Sequence, residues 1–106
     1  MSEEEIRISS SDYWFKVVEM LQQNWALIEP SAEEGCTVYF IQDLSGVFDQ
    51  MEFPSIAEAE SALRRNGFRV FKEDSDAGKF LTPPPPHFRR VQHPNGPVYS
   101  SGKYWV

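Results

Sequence analysis

Four consecutive prolines, Pro83 to Pro86, constrain this chain more than any other feature. A residue with φ held near −65° and no backbone N–H continues neither a helix nor the interior of a sheet, so regular structure is expected to stop there. The run enforces an extended polyproline II segment of about 12 Å at ~3.1 Å per residue. Residues 1–81 therefore read as an α+β core domain and residues 82–106 as a proline-rich, aromatic arm. Phe88, Val91, Val98, Tyr99, Tyr104 and Trp105 make that arm too apolar for a solvated tail, so it is expected to pack on the core.

With 106 residues, 41% of them hydrophobic, the chain suits one domain with an ordinary core. Its apolar runs are only a few residues long, far below the ~20 that cross a membrane, so no membrane association is expected. The acidic opening Met1–Glu5 does not resemble a basic leader followed by an apolar core. One cysteine, Cys36, forms no internal disulfide, and a reducing cytoplasm is the expected setting.

Charge is distributed unevenly. Residues 1–53 carry eleven acids against Arg7 and Lys16, whereas residues 54–106 carry eight bases against five acids. Two readings fit: strands of the two halves lie side by side and neutralise each other, or the second half presents a basic face to an anionic partner.

Along the chain, Ile6 and Ile8 alternate with polar residues, as in a short edge strand or a frayed end. Ser10, Ser11 and Asp12 are N-cap candidates for a helix running to about Asn24, on which Trp14, Val17, Val18, Leu21 and Trp25 form one stripe. Phe15 lies outside that stripe. Trp25 to Glu29 reads as a strand stopped by Pro30. Cys36 to Gln42 reads as a central strand because both of its faces are apolar, and Asp43–Gly46 as a hairpin turn with the glycine at positive φ. Val47 to Phe53 returns, with Asp49 facing inward, which predicts a bulge or an edge position. Ser55–Glu58 matches a capping box, Ile56, Ala59, Ala62 and Leu63 form the inner face of a helix, and Gly67 ends it. Phe68 to Lys72 reads as a strand, residues 74–78 as a turn, Lys79–Leu81 as a brief strand, and Pro94–Pro97 as another turn. The expected fold is a two-layer α+β domain in the order α-β-β-β-α-β, with about four antiparallel strands and two helices on one face.

No motif for catalysis, a cofactor or a metal emerges. Cys36 opens an apolar strand, where a thiol is inert. His87 and His93 lack the spacing of zinc ligands, and Asp74-x-Asp76-x-Gly78 lacks the later ligands of a calcium loop. The proline run lacks the flanks of a groove ligand, since Phe88 stands where PPxY has tyrosine and Arg89 falls one place beyond the base that follows PxxP. Helix, three strands, helix is also the order of double-stranded RNA-binding domains, but Glu58 and Glu60 occupy the stretch where that family holds phosphate-gripping bases.

Two surfaces remain. Eight Phe, four Tyr and three Trp exceed what a small core readily hides. Phe15, Met20, Phe88, Tyr104 and Trp105 are the candidate protein interface. Arg64, Arg65, Arg69, Lys72, Arg89, Arg90 and Lys103, interleaved with aromatics, are the candidate anion-binding surface. The expected function is a non-enzymatic protein-binding or assembly module that self-associates, with a homodimer or another protein as partner. The alternative is an anion or nucleic-acid binder.

Overall fold

The computed structural model describes residues 5–19, 22–93, 97–102 and 104–106. Among these, seven strands form one mixed sheet: β1 (Glu5–Ile6), β2 (Trp14–Glu19), β3 (Gln22–Pro30), β4 (Cys36–Ile41), β5 (Gly46–Phe53), β6 (Arg69–Val70) and β7 (Phe88–Arg90). Their spatial order is β1-β7-β5-β4-β3-β2-β6, antiparallel throughout except for the parallel pair β5·β7. Two helices, α1 (Ile56–Arg65) and α2 (Ser75–Phe80), complete the fold, with a 3-10 turn at Phe71–Glu73.

This corrects the expected α-β-β-β-α-β order with four antiparallel strands. The segment expected to be the first helix is the β2–β3 hairpin, with Trp14 opposite Ala26 and Phe15 opposite Trp25. Helical spacing and strand alternation compete in this stretch, and alternation prevails because both faces find a core. Trp14, Ala26 and Ile28 join one apolar cluster, while Phe15, Trp25 and Leu27 join a second on the opposite side. Phe15, misplaced on a helix, is well placed on a strand buried on both sides. Leu21 and Met20 lie outside the described residues, as does most of the expected turn at residues 94–97.

Nor do the helices share a face. α1 packs Ala59 and Leu63 into the cluster built on Val38 and Phe40, with Ala62 buried beside them. α2 places Ala77 in the opposite cluster, with Trp25, Ile41 and Val47. Asp74 caps α2, its carboxylate accepting from the backbone N–H groups of Asp76 and Ala77. That N-cap lies in the stretch read as a turn, and α2 ends where a brief strand was expected. Of the strand expected over Phe68–Lys72, only Arg69–Val70 is extended.

Residues 82–106 cross both faces. Pro84 is fully buried, its carbonyl accepting from the Tyr13 hydroxyl at 2.6 Å, and β7 then enters the sheet between β1 and β5. The last part of the chain returns over the α1 side, where Tyr99 stacks 4.5 Å from Phe40 and Trp105 lies 5.6 Å from the same ring.

The sheet is also strongly coiled. Ser9 lies three residues after Ile6, at most ~11 Å of chain, yet its N–H and Oγ both donate to the Glu29 carboxylate at 2.9 Å. In a flat sheet the outermost strand β1 and the far end of β3 would stand more than ~25 Å apart. Curling over the α2-side cluster brings them together.

The β4–β5 register slips between Phe40 and Ile41, giving the bulge that the inward-facing Asp49 predicted. Asp49, opposite Phe40, accepts from the N–H groups of Tyr99 (2.6 Å) and Ser100 (2.8 Å) and from the Ser100 hydroxyl (2.7 Å). In the hairpin turn the positive φ falls on Ser45 (67°) rather than Gly46. Gly46 is required for a different reason: a Cβ there would meet Val91 Cγ2 at 2.8 Å.

Replacing Asp49 with Ala removes a charged acceptor from three buried or half-buried donors, and stability is expected to fall by ~2–4 kcal/mol in urea unfolding. Loss below ~0.5 kcal/mol would show that the arm docks without this carboxylate.

Candidate functional site

The structure disperses both sequence-predicted sets. Phe15 and Phe88 are 4% and 3% exposed and belong to the α2-side core. Trp105 is half-buried against the α1-side core, and Tyr104 is 54% exposed. Met20 and Lys103 lie outside the described residues. The described members of the first set therefore give no common surface.

The bases are also separated. Arg69 belongs to edge strand β6 and Arg89 and Arg90 to β7, with four strands between them in the sheet order. Each described base is engaged locally. Arg69 pairs with Asp74 at 3.4 Å and Lys72 with Asp12 at 3.1 Å. The Arg64 guanidinium lies 5.0 Å from the Trp14 ring centroid, Arg65 Nε donates to the Val106 carbonyl at 3.0 Å, and Arg90 donates to Gln50. Arg64 and Arg69 do share one groove of ≈ 320 Å³, but Glu73 and Asp74 line it too. Part of the charge asymmetry meets in the fold: Glu5 lies opposite Arg89 where β1 pairs with β7, and Asp12 holds Lys72.

A second groove, of ≈ 310 Å³, opens beside the first turn of α1 and is lined by Ser9, Ser10, Asp12, Trp14, Ile28, Pro30, Ile56 and Glu60. Three chain segments build it. β2 and β3 supply the Trp14 and Ile28 floor, the Ser9–Asp12 stretch is tethered to Glu29, and α1 brings Ile56 and Glu60 once Ser55 has capped it through the Glu58 N–H at 3.1 Å. Sequence reading missed this groove because its walls are remote in the chain. The Ser55 N-cap, the half of the expected capping box that forms, fixes where α1 starts and is the groove's only legible part.

Nucleophilic chemistry finds no support at Cys36. Burial first, and then the negative charge of Glu60, push its thiol above the ordinary range, and Sγ lies 3.5 Å from the Ser55 carbonyl. A reactive cysteine requires the opposite shift. No group of three or more His, Cys, Asp or Glu among the described residues is arranged to hold a metal ion. No helix among them is long and apolar enough to cross a membrane. No family model, curated protein or solved structure matches the chain.

Two phenols are perturbed by the packing. Burial raises Tyr13; for Tyr99, burial raises, the Asn24 hydrogen bond opposes, and the Asp49 charge adds to the rise. A group bound more tightly to its proton in the folded state stabilises the fold below its unfolded pKa, near ~10 for tyrosine, and loses that contribution as pH climbs through the raised folded values. Unfolding free energy is therefore expected to be insensitive to tyrosine ionisation below pH ~9 and to fall above ~10, with a shallower fall in Tyr13→Phe. An identical alkaline slope in that variant would rule out a contribution from Tyr13. Cys36 is expected to react with a thiol-specific disulfide reagent at least ~100-fold more slowly in the native protein than in urea, and equal rates would contradict its burial.

Proposed function

We propose that this chain is a small non-enzymatic protein-binding module that associates with itself. The observation that carries the reading is two large apolar side chains left exposed on the α2 side after both faces of the sheet have been covered. Phe80, the last residue of α2, is 83% exposed, and Val17, two residues beyond Phe15 on the same side of β2, is 57% exposed. Burying a phenylalanine in a partner is worth about 1.5–3 kcal/mol, which gives such a residue a reason to be apolar. A second copy offers the same side chains in return, as an isologous interface requires.

Side-chain burial is favoured over strand addition. The two edge strands, β1 and β6, are two residues each, and β2 runs past β6 only through a stretch whose register slips between Val17 and Glu19. Short edges and bulges both oppose pairing with another chain.

Sedimentation equilibrium over a wide concentration range is expected to show a mass rising above that of the monomer, with Phe80→Ser returning the monomer and leaving the urea midpoint unchanged. A monomer at the highest concentration attainable would overturn the reading.

A further inference from the structure

The groove beside α1 is a surface separate from Phe80 and Val17, and its lining has a chemical bias. Its floor is apolar, from Trp14, Ile28, Pro30 and Ile56, the last 43% exposed. Its charged walls, Asp12 and Glu60, are both carboxylates. We propose that this groove binds a basic, apolar segment of a partner protein, an extended stretch in which a lysine or arginine adjoins a leucine-sized side chain.

The argument rests on what each wall already does. Glu60 makes no ion pair or hydrogen bond among the described residues. Its neighbour one turn along, Arg64, stacks over the Trp14 indole instead and lines the other groove. That leaves a carboxylate beside apolar surface without a cation among the described residues. Asp12 holds the Lys72 ammonium at 3.1 Å, with both side chains about two-thirds exposed, so it accepts a primary amine in an exchangeable, solvent-screened pair. A purely anionic ligand would meet like charge on both walls, and a purely polar cation would leave Ile56 and the floor wet. Charge complementarity and apolar contact are satisfied together only by a segment carrying both.

The test uses fluorescein-labelled decapeptides followed by anisotropy with the full-length protein. One alternates leucine and lysine, a second alternates glycine and lysine at equal charge, and a third alternates leucine and glutamate. The leucine–lysine peptide is expected to bind at least about tenfold more tightly than the glycine–lysine peptide, and the leucine–glutamate peptide not at all. Glu60→Lys is expected to weaken the leucine–lysine complex by about tenfold or more, and Ile56→Ser by about threefold. Both residues are exposed, so the variants are expected to keep the wild-type urea midpoint. Phe80→Ser is expected to leave peptide affinity unchanged, which separates this site from self-association. Equal affinity for the two lysine peptides, undiminished binding by Glu60→Lys, or no binding of the leucine–lysine peptide to the wild type would each overturn the proposal.

Discussion

The Asp49 carboxylate ties the final turn of the arm to the middle of the sheet, and much of the α1-side packing follows from that attachment. Burying a charge is costly unless its hydrogen-bonding capacity is met, and here two backbone N–H groups and a hydroxyl converge on it. Their position sets that of Tyr99, whose ring lies against Phe40, Phe48, Phe68 and Trp105. Asp49 stands opposite Phe40 at the edge of the β5 bulge, where the register slips by one residue.

Covering both faces of a coiled sheet with so short a chain leaves few independent layers. α1 and the end of the arm share one side, while α2, Tyr13 and the proline run share the other. The prolines act as a strap whose buried member, Pro84, is held by the Tyr13 hydroxyl. Among the described residues, every buried side-chain nitrogen and oxygen has a hydrogen-bond partner. The surface carries exposed apolar residues on the α2 side and an acid-walled groove beside α1.

Legibility varied with the range of the interactions involved. The Ser55 N-cap, the terminating Gly67 with φ of 90°, the β4–β5 hairpin and the Asp49 bulge are readable because each depends on a few adjacent residues. The β2–β3 hairpin was misread because Trp14, Val17, Val18 and Trp25 satisfy helical spacing, and only a core on both sides favours alternation. α2 was missed because Gly78 lies within a six-residue helix whose Asp74 cap also suits a turn. The candidate interface does not form at Phe15 and Phe88 for one reason: a two-layer fold leaves one face of the sheet free for them, whereas this sheet is buried on both faces.

The sequence by itself determined the local punctuation of this protein: where a helix starts and stops, where the chain must run extended through prolines, and that its two halves carry opposite charge. Tertiary structure alone decided that β7 inserts between β1 and β5, that the helices lie on opposite faces, and that Trp14, Ile56 and Glu60 line one groove. Those outcomes depend on contacts between residues tens of positions apart, whose energies appear only when the sheet has coiled and both of its faces are covered.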